Sequence, residues 1–181
     1  ENKIKSRAQA YGRGYFPLEG SFEIDIPECE TWLKYGIGEE VSEAQFSSYP
    51  WHHGQGNTMI NKYLSSGAHL KGKKLISSEE LTNTAMVFNE SLEIFKIAGD
   101  QSTLSGVTHP IFHGFNYSPP NAAFPGWITY GGYLNEKNTM WPYFKNYTDY
   151  RARISALLQQ ATMFAEIAVL PPTTDLWSIY G

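Results

Sequence analysis

The sequence predicts an α/β fold, read as part of a (β/α)8 TIM-type barrel, on three observations. Short β-prone runs alternate with helix-like segments along the chain, the pattern of parallel strands joined by helical crossovers. No strand-like run is followed by a glycine-rich phosphate loop, which argues against a nucleotide-binding doubly wound sheet. Polar and charged residues collect instead where the strands end: Gln9, Asp25 with Glu28, Glu79 with Glu80, and His113. In a barrel those ends converge on one face, and acids distant in sequence become neighbours. Five runs alone cannot close a barrel, so an open sheet stays possible at this point.

The elements follow in order. The first run is KIKSRAQAYG, residues 3–12. The second is FEIDIPE, residues 22–28, where Phe22, Ile24 and Ile26 alternate as in a strand with one buried face. A helix is expected over NTMINKYLSSGAHLKG, residues 57–72, because Met59, Ile60, Tyr63, Leu64 and Leu70 approximate one apolar stripe. The third run, KKLISSEE at 73–80, leads into a helical segment at 90–106 with Leu92, Phe95 and Ile97 as core candidates. The fourth is THPIFHGFNY at 108–117. After a long proline-rich loop, residues 141–161 form the clearest helix, with Tyr150, Ile154, Leu157 and Leu158 at helical spacing. The fifth run is AEIAVLPP at 165–172.

Composition narrows the function. The chain has 181 residues, enough for one domain with a substantial core, and is 41% hydrophobic but only 18% charged, so it reads as globular. Net charge is −4 and no basic stripe occurs, which argues against nucleic acid as the main partner. No apolar run approaches the roughly 20 residues needed to span a bilayer. A single cysteine, Cys29, excludes an intrachain disulfide framework and a multi-cysteine zinc site. The chain starts at Glu1 rather than methionine and shows no signal peptide, from which we expect a piece of a longer polypeptide. Aromatics reach 15%, with 12 Tyr and 5 Trp, which suits a sugar-binding cleft because flat apolar rings stack on sugar C–H faces; core packing accounts for most of them.

The chemistry centres on two acidic strand ends. Asp25, Glu28 and Glu30 surround Pro27, and Glu79 and Glu80 end the third run. Glycoside hydrolysis uses two carboxyl groups, one as acid and one as base or nucleophile. The plainer alternative is that these acids cap helices or face water. His52 and His53 lie in a glycine- and aromatic-rich loop that reads as sugar-contacting or solvated, since adjacent histidines rarely reach one ion and no spaced third ligand follows. His113 follows a strand-like segment and can face the site, whereas His69 and His109 read as structural. The stretch from Asn116 to Phe144 is long for a connection within one domain, and such loops tend to be functional. We read it as a cleft wall, with Trp127 and Trp141 as stacking platforms.

In order along the chain, RAQAYG, DIPECETW, SSGAHLKGKKLISSEELT, IFHGFNYSP, PGW, YRARISALLQQ and EIAVLPP resemble the catalytic barrel of glycoside hydrolase family 106 α-L-rhamnosidases and related hydrolases. The resemblance runs from about residue 3 to residue 172. It implies a (β/α)8 barrel of which this chain, as a single segment, carries only the later βα units, with the remainder of the same polypeptide as its partner. It further implies exo-acting hydrolysis of a rhamnose-containing glycan with inversion, a calcium ion near the sugar hydroxyls, and a periplasmic or secreted location. Carried over by position, Asp25 and Glu28 are the Asp-x-x-Glu pair, with Glu28 the general acid. Glu79 is the base that activates water, or a metal ligand together with Glu80, which stands where a small residue is expected. His113, Trp127, Trp141, His53 and Glu30 are the substrate-contact candidates. A related hydrolase for another sugar and a non-catalytic carbohydrate-binding protein are the alternatives.

Overall fold

Four parallel strands hydrogen-bond in sequential order, β1 Arg7–Gln9, β2 Ile26–Trp32, β3 Ser77–Thr82 and β4 His109–Phe112. The intervening helices are α1 Pro17–Glu23, α2 Gly54–Leu70, α3 Leu92–Leu104 and, after β4, α4 Trp141–Gln160. This computed structural model describes residues 4–10, 17–33, 54–83, 88, 90–127, 130–170 and 175. The alternation expected from sequence is therefore an α/β fold with a parallel sheet.

Side-chain alternation divides the sheet into two faces. On one, Cys29 joins Leu64, Ala68, Ile76 and Val107 in a core beneath α2. Thr31 points the same way, within 3.0 Å of the Ser78 hydroxyl and accepting from the Asn61 amide of α2 at 3.2 Å. Further along that face, Leu33, Leu81, Phe95, Leu134, Phe144 and Tyr147 form a second core beneath α3 and α4. Cys29 is fully buried, and burial pushes its thiol far above the ordinary range, so it behaves as a small core residue.

One polar contact crosses this helical layer. Arg151 of α4 is only 2% exposed and donates through Nη2 to Glu80 Oε1 at 2.6 Å. Its Nη1 donates to the Gly99 carbonyl of α3 at 2.6 Å and to the Thr103 hydroxyl. Gly99 permits the approach, because a Cβ there would lie 2.6 Å from the Tyr147 hydroxyl. Burial pushes the Glu80 carboxyl up to about 7, against the pull of the adjacent guanidinium. α3 itself is capped at its start by Ser91, whose hydroxyl accepts from Ile94 N–H at 3.2 Å.

Two sequence expectations are corrected. Phe22 belongs to α1, not to a strand, and β2 begins only at Ile26. The cause is a helix start at Pro17, a favoured first position, and a stop imposed by Lys73. The Lys73 ammonium takes the carbonyls of Ser21 at 2.6 Å, Phe22 at 2.7 Å and Ile24, capping α1 before the strand begins. The fifth run is not a strand: residues 161–170 lack regular structure, and Ile167, Val169 and Leu170 are exposed. A strand-like pattern becomes a strand only with a ladder partner and a covering layer, and these residues have neither among the described residues. Ile97, taken as a core candidate, also faces outward, as does Leu157 of the α4 helical spacing.

Truncating Glu80 to Ala leaves Arg151 buried and unpaired, so a loss of about 3–5 kcal/mol is expected in urea unfolding, with Glu80→Gln costing less.

Candidate active site

The sheet face turned away from the helices carries the carboxylates. Cα register sets Glu28 of β2 between Gln9 of β1 and Ser77 of β3, and Glu30 beside Glu79. Residues two apart share a face, so Glu28, Glu30 and Glu79 form one group. Glu28 is nearly buried, and its Oε2 accepts from the Ser77 hydroxyl at 2.6 Å and lies 3.2 Å from Arg7 Nε. Both contacts use Oε2 and leave Oε1 outside them.

Glu79 is held from β1, from its own strand and from the residue that follows β4. Its Oε2 accepts from Gln9 Nε2 at 3.1 Å, and its Oε1 accepts from the Thr82 hydroxyl at 2.7 Å. His113 Nδ1 lies 3.3 Å from the same Oε1. A bulge brings Thr82 round to this face: β3 spends three residues from Glu79 to Thr82 where β2 spends two, Glu30 to Trp32. Leu81 absorbs the extra residue at φ 71°, unusual for a branched side chain, and points into the helical core beside Phe95. The loop after β4 clamps the bulge. Gly131 bridges to Thr82, Asn83 N–H donates to the Tyr130 carbonyl at 2.7 Å, and Gly132 N–H donates to the Leu81 carbonyl at 3.2 Å.

Two predicted site residues lie elsewhere. Asp25 precedes β2, at the opposite end of the strands from His113 and Thr82, where its carboxylate accepts from the Ser6 N–H at 2.7 Å and hydroxyl at 3.0 Å. Those hydrogen bonds hold its carboxyl below the usual carboxylate range, which suits a structural pin between the starts of β1 and β2. Glu80 sits on the helical face with Arg151, since adjacent strand residues point to opposite sides. Glu79 and Glu80 therefore cannot hold one calcium ion together, and no cluster of three or more His, Cys, Asp or Glu suited to a metal occurs among the described residues. His53 lies outside the described residues.

The aromatic wall divides in two. Trp127 is two-thirds exposed and is tied through its backbone N–H to the Ser118 hydroxyl at 2.8 Å. Trp141 opens α4 and stacks on Phe144, with centroids 5.9 Å apart, so much of its ring is packing. Tyr130, 55% exposed and edge-on to Trp32 at 6.2 Å, presents a ring beside Thr82. Sequence reading missed the importance of Thr82, Arg7 and Ser77, since small hydroxyls and a lone arginine carry no distinctive spacing. Gln9 was legible as a polar strand end.

A family profile described as alpha-L-rhamnosidase, Glyco_hydro_106, matches residues 22–176. The chain belongs to glycoside hydrolase family 106. A Formosa agariphila protein provisionally named a beta-glucuronidase is 28% identical to this family 106 chain over 171 residues, 93% of the chain and 13% of that protein. The solved structure of the rhamnosidase from Novosphingobium sp. PP1Y shares the fold, with TM-score 0.58 and 21% identity over 80% of this chain and 13% of that one. The chain thus spans about an eighth of the length of these two relatives.

Removing the Trp141 ring (Trp141→Ala) is expected to lower unfolding stability by about 1–3 kcal/mol, whereas Trp127→Ala should leave the denaturation midpoint unchanged.

Proposed function

We propose that this chain is part of the catalytic (β/α)8 barrel of an inverting glycoside hydrolase acting on a rhamnose-containing glycan. The observation that carries the reading is the shared face of Glu28, Glu30 and Glu79, fixed by strand register. The sequential parallel order supports the barrel, since a doubly wound sheet reverses its strand order at a switch point.

Diagonal neighbours on adjacent strands stand about 7–8 Å apart, and this is the relation of Glu28 to Glu79. Inverting glycosidases separate their carboxyls by roughly 6.5–9.5 Å, leaving room for a water. In this scheme Glu79, its oxygens oriented by Gln9, Thr82 and His113, takes a proton from that water as its oxygen attacks the anomeric carbon. Glu28 delivers a proton from Oε1 to the departing glycosidic oxygen, and the C–O bond breaks on the opposite side of the ring. His113, Trp127 and Tyr130 contact the sugar. Calcium enters no step of this scheme. The periplasmic or secreted location belongs to the same reading.

Register also favours a second reading. Glu30 stands directly beside Glu79 with backbones about 5 Å apart, and carboxyls held at that backbone spacing would suit a retaining pair with a covalent glycosyl intermediate.

The test is turnover of an aryl-glycoside panel by the full-length protein, with the first-formed anomer read by NMR. Inversion at an α-L-rhamnoside supports the proposal; retention transfers the nucleophile role to the Glu30–Glu79 pair. Glu79→Gln is expected to lower kcat about 10²–10⁴-fold. Sugar binding without turnover by the wild type would make the protein a carbohydrate binder. Trp127→Ala is expected to raise KM several-fold while kcat holds, the signature of lost uniform binding.

A further inference from the structure

The bulge that buries Leu81 in the helical core also delivers Thr82 to the carboxylate face. It sets a bulky leucine at φ 71° and leaves Thr82 1% exposed, its backbone fixed on both sides. On one side Leu33 N–H donates to the Thr82 carbonyl at 2.8 Å, and on the other Gly131 bridges to it. A hydroxyl so fixed forms a triangle with two reactive groups: Thr82 Oγ1 is 2.7 Å from Glu79 Oε1 and 3.1 Å from His113 Nδ1.

The proton count fixes the direction of the hydrogen bonds. Thr82 has one hydroxyl proton and gives it to the Glu79 carboxylate, so Nδ1 of His113 must carry the hydrogen that it directs toward the threonine oxygen. The other titratable and charged groups that strand register sets on this face are Glu28, Glu30, Arg7 and His109, and Gln9 holds the second oxygen of Glu79.

We propose that Thr82 is a positioning residue for Glu79: it fixes the rotation of the carboxylate so that one oxygen is aimed at the attacking water. The proposal rests on the reading of Glu79 as base. Without the hydroxyl, Glu79 keeps its charge but loses its orientation, and orientation is what a general base needs to be effective.

The experiment compares Thr82→Val, Thr82→Ser and Glu79→Gln in the full-length protein. Thr82→Val is expected to lower kcat about 10–100-fold, the equivalent of one hydrogen bond to a charged group, with KM within about threefold. Thr82→Ser is expected to recover most of the loss. Azide supplies a second readout, because it attacks the anomeric carbon without needing a base and displaces the same leaving group. Azide should therefore raise turnover of both Thr82→Val and Glu79→Gln, forming the glycosyl azide, and a variant that merely misfolds would not respond. Wild-type kcat in Thr82→Val, or rescue by azide of Glu79→Gln alone, overturns the positioning role. Full activity in Glu79→Gln overturns the base reading itself, and this proposal with it.

Discussion

The buried ion pair between Glu80 and Arg151 is the constraint around which the structure is arranged. A charged guanidinium beneath a sheet is costly to desolvate, and it is tolerated because one carboxylate, one helix carbonyl and one hydroxyl receive it. Those acceptors come from β3 and α3 while the guanidinium comes from α4, so the pair determines how two helices approach one strand. Gly99 follows from it, since a side chain there would collide with Tyr147 and Arg151. The bulge lies next to it: with Glu80 turned toward Arg151 and Leu81 also in the core, the strand needs an extra residue before Thr82 can face the other way.

The consequence is a sheet with two unlike sides. The helical side is apolar around its ionic contact, while the other side sets Gln9, Glu28, Glu30, Ser77 and Glu79 in a polar array. Two neighbours in sequence, Glu79 and Glu80, therefore do opposite work. One is oriented by neutral donors on the face away from the helices, and the other is sealed in as a structural charge.

Much of this was legible in the sequence, and the failures have physical causes. The three longer helices and β3 and β4 were found because apolar periodicity and loop residues agree there. The alternation of Phe22, Ile24 and Ile26 misled because Lys73, fifty residues away, ends a helix at that point, and no local pattern reports a distant ammonium. Glu80 misled because a bare acidic pair says nothing of which face each member takes. Glu79 and His113 were placed together correctly as strand-end residues. Asp25 was grouped with Glu28 by sequence proximity, but three residues of strand carry the two about 10 Å apart, toward different ends of the sheet.

The way Trp127 is held has a consequence for how such a site can change. Its anchor to Ser118 uses the main chain, and its ring faces solvent. Whatever side chain stands there, the peptide group can keep the same bond, so the identity of the ring is decoupled from the geometry of Glu79. The exposed ring can change by single substitutions while the carboxylates of the sheet keep their positions. The exposed ring and the carboxylate array are in that sense separately heritable parts of one fold.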